Sequence, residues 1–292
     1  MRTIRTVVAA AVAATLLGGT AACGGHRERT PKEAFQAAAK VMADAGAAKV
    51  VLQRQDPVEG ASSGSGVLSW GSKPAMELVM RHGAAQVQVR TLDGIVYLVA
   101  DPEQSAWMGG RHWMRFDPRT SHGDGAGAAV YSTWGEQLSP ASDLTALAAV
   151  GRLRQVGPEK LDDMDTVHYR ASASVADLVG ASSDLSPEQR TSVLDAYRKQ
   201  GATSITVDVW IDAKDQVVQE RRACLLAKGS ETTSTRYSAI GMEVDIQAPL
   251  PDDTFDTQNL SSGDTPGGAT DTPGGATGAA GGATDAPGDA TG

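Results

Sequence analysis

One stretch of the sequence fits a motif of serine hydrolases. Residues 60–64 read Gly-Ala-Ser-Ser-Gly, which matches G-x-S-x-G with Ser62 in the position of the nucleophile. In hydrolases this motif joins a strand to a helix, because the sharp turn holds the serine hydroxyl at the top of a sheet. Here the residues that follow, 66–70, have the pattern of another strand. We therefore expect a Gly/Ser hairpin loop at this place and no nucleophile.

The histidines offer one candidate metal site. His112 and His122 flank Asp117, and Asp124 follows, so these four side chains could meet in one loop and hold a metal. No histidine has a second one at i+4, and no H-E-x-x-H motif occurs. We interpret the segment as a polar surface loop, with the metal site as the alternative. The sequence thus predicts no catalytic residue, no bound metal and no cofactor.

The first 22 residues have the three parts of a secretory signal peptide. A basic start with Arg2 and Arg5 is followed by an apolar core over 7–17 and by small residues over 18–22. The apolar core is far shorter than the roughly 20 residues that a membrane-spanning helix needs. We therefore expect residues 1–22 to direct export and then to be removed.

A cysteine follows this segment directly. Residues 20–23, Thr-Ala-Ala-Cys, resemble the lipobox of bacterial lipoproteins, although Thr20 stands where an aliphatic residue is commoner. The resemblance implies that the Cys23 thiol receives diacylglycerol and that acyl chains such as palmitate anchor the protein at the extracytoplasmic face of the cell membrane. Residues 23–29 would then form a flexible leash. The alternative is ordinary cleavage after Ala22, which leaves Cys23 free or in a disulfide.

The second cysteine and the net charge of the chain limit which partners are expected and how the protein attaches to the membrane. If Cys23 is acylated, Cys224 has no partner, and we expect it to be buried as a small apolar residue. The formal net charge is −9, and removal of the signal with its two arginines would leave −11. This acidic balance argues against nucleic acid as a partner. Membrane attachment would therefore depend on the lipid at Cys23.

The composition of the chain changes after Phe255. The sequence Asp-Thr-Pro-Gly-Gly-Ala-Thr occurs at 264–270 and again at 271–277, and the segment has no large apolar side chains. Such a segment cannot bury enough surface to offset the loss of chain entropy. We predict a disordered tail over 257–292, and a single folded domain over 30–256.

Periodicity predicts the elements of that domain. Thr30, Pro31 and Glu33 predict the capped start of a helix that ends at Gly46. After it the apolar period changes to two, and Asp93-Gly94 predicts a type I′ hairpin that pairs Leu92 with Ile95 and Val89 with Leu98. We expect further strands over 111–116, 166–171, 204–211, 217–225, 231–237 and 242–247, and helices from Ser139 to Gly151 and from Ser186 to Gly201. The pattern is α+β, with helices packed on one face of an antiparallel sheet.

The order of these features resembles the LolA-like bacterial lipoproteins, in particular the LppX/LprG-type lipid carriers. The resemblance extends over nearly all of 30–256 and lies in the lipobox, the Asp93-Gly94 turn, His168-Tyr169, the segment 209–212 and the close at 249–255. It implies a strongly curved antiparallel sheet, or half barrel, with helices packed on its concave face over an apolar cavity. Members carry lipids, and related folds act as envelope sensors.

These observations predict a protein that binds or carries a lipid or acyl chain and is not an enzyme. The alternative is an envelope sensor or scaffold that binds a protein through the outer face of the sheet, with Arg90, Tyr97 and Trp210. We expect the cavity to be lined by Met76, Leu78, Met80, Val87, Val89, Val96, Leu98, Met114, Phe116, Leu144, Leu147, Val207 and Val209, with Ile205 on the same face.

Overall fold

The computed structural model describes residues 29–71, 73–117, 131, 139–183 and 185–259. The predicted signal peptide, Cys23, most of the leash and nearly all of the tail lie outside these ranges, as do His122 and Asp124. None of the helices in the described ranges has the length and apolar character needed to cross a membrane.

The described residues form five helices, twelve strands and two short 3₁₀ turns. The helices are α1 (Pro31–Ala45), α2 (Pro102–Trp107), α3 (Pro140–Val150), α4 (Val175–Ala181) and α5 (Pro187–Gln200). The strands are β1 (Ala47–Asp56), β2 (Gly60–Ser69), β3 (Ala75–His82), β4 (Ala85–Leu92), β5 (Ile95–Val99), β6 (Trp113–Phe116), β7 (Arg152–Leu161), β8 (Met164–Ser174), β9 (Ser204–Asp212), β10 (Val217–Leu226), β11 (Gly229–Ser238) and β12 (Thr254–Asp256). The 3₁₀ turns are Pro251–Asp253 and Thr257–Asn259.

All twelve strands belong to one open sheet. Its order from edge to edge is β12-β6-β5-β4-β3-β2-β1-β11-β10-β9-β8-β7. Neighbouring strands are antiparallel, except that β12 runs parallel to β6. The pair of β1 with β11 joins the half that contains β1 to β6 and β12 to the half that contains β7 to β11. The α+β class and the antiparallel sheet predicted from the sequence are confirmed.

The start and end of α1 follow from its sequence. The Thr30 hydroxyl accepts a hydrogen bond from the backbone N–H of Glu33, and the Glu33 carboxylate accepts one from the backbone N–H of Thr30 at 2.8 Å. Gly46 ends the helix with a φ of 71°, a conformation that glycine adopts without a steric cost. The fully buried Phe35 and Met42 then pack against the sheet in the hydrophobic core.

The β4–β5 hairpin has the predicted register. Leu92 pairs with Ile95 and Val89 with Leu98. Asp93 and Gly94 both have positive φ, at 52° and 78°, as a type I′ turn requires. In this register, alternate side chains of β4 and β5 lie on the same face of the sheet and reach the core from that face only.

Two local predictions were wrong. Residues 60–64 are part of β2 and not a hairpin loop, because their backbone pairs with β1 on one side and with β3 on the other. The backbone hydrogen bonds to these two neighbouring strands outweigh the weak strand propensity of glycine and serine. Residues 242–247 form no strand; they run in irregular conformation, and the Gln247 carbonyl accepts a hydrogen bond from Arg90.

Gly66 in β2 provides a test of the sheet packing. A Cβ atom at this position would collide with the backbone carbonyl of Glu77 on β3, whereas a Cβ at Gly180 in α4 would meet nothing within 4 Å. We expect Gly66→Ala to lower the free energy of unfolding of the full chain by about 1–3 kcal/mol. The control Gly180→Ala should raise it by about 0.5–1 kcal/mol, because alanine favours helix. Urea unfolding followed by circular dichroism measures both, and equal effects of the two substitutions would contradict the close β2–β3 contact.

Candidate functional site

A cavity of about 190 Å³ lies between one face of the sheet and the helices α3, α4 and α5. Its apolar wall comes mainly from α4, α5 and the segment between them, and its polar floor from β1, β10 and β11. The apolar wall consists of Leu52, Leu178, Val179, Leu185, Val193, Tyr197 and Ile205. The polar side consists of Arg54, Ser142, Asp143, Ser182, Glu220, Arg222, Glu231, Thr233, Thr235 and Tyr237.

Strand register explains why the polar floor is continuous. Thr233 on β11 pairs with Arg54 on β1 and with Arg222 on β10, so these side chains form a row across three strands. In the next row on the same face, Thr235 lies between Leu52 and Glu220. Side chains two residues apart on a strand share a face, and charged groups on adjacent strands are thereby brought within reach of one another.

Arg54 is held by three carboxylates. Its guanidinium donates to Asp56 at 2.7 Å, to Glu59 at 2.8 Å and to Glu231 at 2.9 Å. Burial opposes the charged form of Arg54, but the hydrogen bonds to Glu231 and Glu59 outweigh it, and the pKa of Arg54 is raised. The guanidinium is therefore a fixed, fully paired cation at one end of the floor.

Arg222 joins helix α3 to the floor. Its Nη2 donates to Asp143 on α3 and makes a longer contact of 3.4 Å to Oε1 of Glu220 on its own strand. Glu220 is only 7% exposed. Burial raises the pKa of Glu220 to about 7, and the negative charge of Asp143 adds to the shift while Arg222 opposes it. Glu220 is thus a buried carboxyl that changes its charge near neutral pH.

Hydroxyl groups complete the polar side. Burial raises the pKa of Tyr237 well above its ordinary value, and it also raises the pKa of Tyr197. Both side chains are therefore neutral phenols. Cys224 is buried at the edge of this region, as expected, and its thiol lies 3.6 Å from the backbone carbonyl of Ser204.

The thirteen residues expected to line a cavity are brought together, but in the packed core. Ten of them are buried, and Val87, Met114 and Phe116 are partly buried against the same cluster. None borders the cavity of 190 Å³. Ile205, which lies beside Val207 and Val209 on β9, is one of the residues that belong both to this core and to the cavity wall. A ligand-binding role for the thirteen stays a prediction.

Sequence reasoning missed the charged floor. The strand 217–225 was predicted, but its charged face was not. Glu220 and Arg222 form this face, because they lie two residues apart. The sequence signal for this floor is a strand with opposite charges at i and i+2, next to the apolar strand predicted over 204–211. Which of its two faces turns toward the helices depends on the β9–β10 register, and a bulge between Val217 and Gln219 shifts that register.

Ser62, His112 and Asp117 are the described residues that the sequence offered for enzyme or metal chemistry. Ser62 lies in β2 opposite His82, and β2 leads to another strand, not to a helix. His112 is exposed, and its Nδ1 lies 2.7 Å from the Asp253 carboxylate. Asp117 contacts Arg115 at 3.4 Å. In the described ranges no three histidine, cysteine or carboxylate side chains converge in a metal-binding group.

The outer face, on the side of the sheet away from the helices, carries Arg90, Tyr97 and Trp210. Arg90 donates to Glu77 at 2.8 Å and lies 4.7 Å from the centre of the Trp113 ring. The buried Trp210 stacks on His168 at 4.3 Å, and its indole N–H has no hydrogen-bond partner among the described residues.

Beside this stack, both ring nitrogens of His168 contact carboxylates. Nε2 lies 2.8 Å from Asp208, and Nδ1 lies 3.1 Å from Glu159. Burial raises the pKa of Asp208, but hydrogen bonds from Arg170 and His168 outweigh it, so the net shift is downward. Asp208 is therefore an ionised acceptor that ties Arg170 and His168 to the outer face.

Comparison with known proteins gives distant relatives. No known protein-family model matches the chain. An uncharacterized 31.2 kDa protein of Streptomyces griseus is 29% identical over 188 residues, which are 63% of this chain and 62% of that protein. A putative lipoprotein of Streptomyces coelicolor is 23% identical over 200 residues, 68% of this chain and 61% of that protein. The chain thus spans less than two thirds of the length of these curated relatives.

Solved structures with a similar arrangement include two from mycobacteria. The lipoprotein LppX of Mycobacterium tuberculosis is 14% identical, with 73% of this chain and 98% of that chain covered and a TM-score of 0.44. LprF of Mycobacterium bovis is 12% identical, with 76% and 99% covered and a TM-score of 0.44. A LolA superfamily protein of Nitrosomonas europaea is 9% identical, with 77% and 96% covered and a TM-score of 0.29.

The raised pKa of Glu220 makes stability depend on pH. The folded pKa of about 7 exceeds the ordinary 4.5, so the folded state keeps a proton that the unfolded state loses, and stability falls as pH rises between these values. We expect the free energy of unfolding of the wild type, relative to Glu220→Gln, to fall by about 2–3 kcal/mol over this window and to level off above it. Urea unfolding at a series of pH values measures the difference. The exposed control Glu243→Gln should leave the wild-type profile unchanged, and a flat difference for Glu220→Gln would contradict the assignment.

Proposed function

We propose that the chain is a lipoprotein of the extracytoplasmic membrane face that holds a lipid or acyl chain in the cavity below α4 and α5. The observation that carries this is the two-sided wall of the cavity. Side chains such as Leu178, Val193 and Ile205 offer apolar surface, while the opposite side offers charges and hydroxyls. An amphiphile with an apolar chain and a polar head matches both sides at once.

The size of the cavity limits what fits without movement. Pockets for drug-sized ligands measure about 300–1,000 Å³, which is more than the 190 Å³ found here. A short chain, or the end of a longer one, fits the space as it stands. Each Å² of apolar surface hidden from water contributes about 25 cal/mol before the costs of binding are subtracted.

A longer chain would need more apolar surface than this cavity provides. Ile205 borders the cavity, and the buried Val207 and Val209 continue the same face of β9 into the core. We infer that a longer acyl chain would extend in this direction and displace part of the packing among the thirteen residues predicted from the sequence. No covalent chemistry is involved in holding such a ligand.

The anchor is inferred from the sequence. Cys23 follows a segment with the parts of a signal peptide, and one of the relatives is named a putative lipoprotein. A diacylglyceryl group supplies the two chains that stable attachment needs. The cavity would then lie close to the membrane from which a ligand comes.

A second candidate function is a sensor or scaffold that binds a protein through the outer face. The observation behind it is the indole N–H of Trp210, which has no partner within the described residues; because this N–H is buried, a partner could reach it only after the residues that cover it move. Arg90 adds nothing to it, because Glu77, Trp113 and the Gln247 carbonyl already contact its guanidinium. We therefore rank lipid binding first.

Cys23→Ser tests the anchor. Serine cannot form the thioether to diacylglycerol, so we expect the full-length variant to leave the membrane fraction in soluble form or to accumulate as uncleaved precursor. Fractionation and intact-mass measurement distinguish these outcomes. Cys224→Ser is the matched control and should stay membrane-bound; a processed Cys23→Ser protein that remains in the membrane fraction would count against lipidation.

A diazirine-labelled fatty alcohol tests the cavity in native membranes that contain the full chain. We expect photocrosslinks to peptides of α4, α5 and β9, identified by mass spectrometry. Val193→Trp fills the space between the half-buried Val193 and the floor and should reduce the yield at least about tenfold, equivalent to about 1.4 kcal/mol. The control Val58→Trp changes a side chain that is 63% exposed and should have no effect.

Two outcomes would contradict lipid binding in this cavity. One is the absence of crosslinks at the cavity-lining peptides in the wild type. The other is an equal yield from wild type and Val193→Trp, which would indicate adsorption elsewhere. Crosslinking of the wild type to a single membrane-associated protein at Trp210 peptides, unaffected by Val193→Trp, would favour the sensor.

A further inference from the structure

The polar floor of the cavity has more carboxyl groups than guanidinium groups. Five charged residues line the cavity, and three of them are acids: Asp143, Glu220 and Glu231 balance only Arg54 and Arg222. Asp56 and Glu59, just outside the lining, add two more carboxylates to Arg54. The floor therefore has an excess of negative charge when all these groups are ionised.

The two guanidinium groups are already occupied. Arg54 contacts three carboxylates within 2.9 Å, and Arg222 contacts Asp143 and Glu220. An anionic head group that enters the cavity would have to displace one of these carboxylates. It would also bring a further negative charge into a space where burial already disfavours the ionised form of Glu220.

Glu220 is the least satisfied of the acids. It is 7% exposed, and its one hydrogen-bond contact in the described part of the chain is the 3.4 Å approach of Arg222 to Oε1. A buried carboxylate with a single long contact is costly, and a cation that contacts it directly relieves that cost. The hydroxyl of Thr235, on the adjacent strand, has an oxygen atom that can accept a hydrogen bond from an ammonium group.

From this geometry we propose that the cavity selects amphiphiles with a cationic amine head over those with an anionic head, and that Glu220 is the group that receives the ammonium. This inference rests on the proposed function, because it assigns the head group of the ligand whose apolar chain lies against α4 and α5.

Binding of the amine is coupled to the release of a proton. When Glu220 is protonated, R–NH₃⁺ replaces the carboxyl proton, which leaves to solvent, and the product is the ion pair of R–NH₃⁺ with the Glu220 carboxylate. The charged and titratable groups that face Glu220 are Asp143 from α3, Arg222 from β10, and Tyr237 from β11. Tyr237 stays neutral, and Asp143 is paired with Arg222, so the proton comes from Glu220.

Arg190 is a cation that contacts the cavity wall from outside the lining. Its Nη2 donates to the backbone carbonyl of Ser182, a residue of the cavity wall, at 2.9 Å, and its Nε has no partner among the described residues. Arg190 itself does not line the cavity. A variant at this position therefore tests whether a cation outside the lining contributes to the selection.

The test uses the full chain in native membranes and the fatty-alcohol crosslink as a neutral readout of the cavity. Octylamine and octyl sulfate compete with the probe at about pH 6 and about pH 8, where octylamine stays charged because amines of this kind have a pKa of about 10. We expect octylamine to compete better than octyl sulfate. Its competing strength should rise about tenfold between the two pH values, as a carboxyl with a pKa of about 7 becomes ionised.

Glu220→Gln should abolish both the preference for the amine and its pH dependence, while crosslinking to the neutral alcohol persists and shows that the variant is folded. Glu243→Gln and Arg190→Gln should retain the wild-type preference. Equal or stronger competition by octyl sulfate, or an unchanged preference in Glu220→Gln, would overturn the inference and leave lipid binding intact. Absence of the alcohol crosslink in the wild type would instead overturn the proposed function.

Discussion

The pairing of buried charges between β1, β10, β11 and α3 is the constraint on which the cavity depends. A charged group taken out of water is costly unless partners surround it, and here each guanidinium contacts at least two carboxylates. The Arg222–Asp143 pair also links the sheet to α3, the helix beside α4 in the cover of the cavity. If hydrophobic side chains replaced these groups, the helices could pack directly on the strands. The charged floor thus keeps space open at this position.

The packed core and the cavity lie along the same face of the sheet, but they differ in the residues that face the helices. Toward β3, β4 and β5 the inward residues are apolar, and Met76, Leu78 and Val89 are fully buried. Toward β10 and β11 the inward residues include Glu220, Arg222, Glu231, Thr233 and Thr235, whose polar groups cannot pack as densely with aliphatic helix residues. The result is one sheet face with a packed apolar part and a part that lines a two-sided cavity.

Much of the fold could be predicted from the sequence because local rules decide it. The capped start of α1 and the Asp93-Gly94 hairpin with its register follow from neighbouring residues, and the helices after Ser139 and Ser186 begin at the expected prolines. Residues 60–64 of β2 were predicted as a loop because glycine and serine have weak strand propensity, and the pairing with β1 and β3 that overrides this propensity is not visible in the local composition. The charged floor was missed for the same reason, since it arises only when β1, β10 and β11 lie side by side.

The central position of the β1–β11 pair has a consequence for the order of folding. It brings together residues as far apart as Lys49 and Ser238, and every strand from β2 to β10 lies between them in the chain. Contacts of such long sequence separation form slowly, because the entropy of loop closure must be lost before they contribute. In a chain that emerges N-terminus first, hairpins such as β4–β5 can form early, but Arg54 meets Glu231 only after almost the whole domain has emerged. The cavity is therefore a late product of folding, and its charged groups remain in water until the two halves of the sheet close.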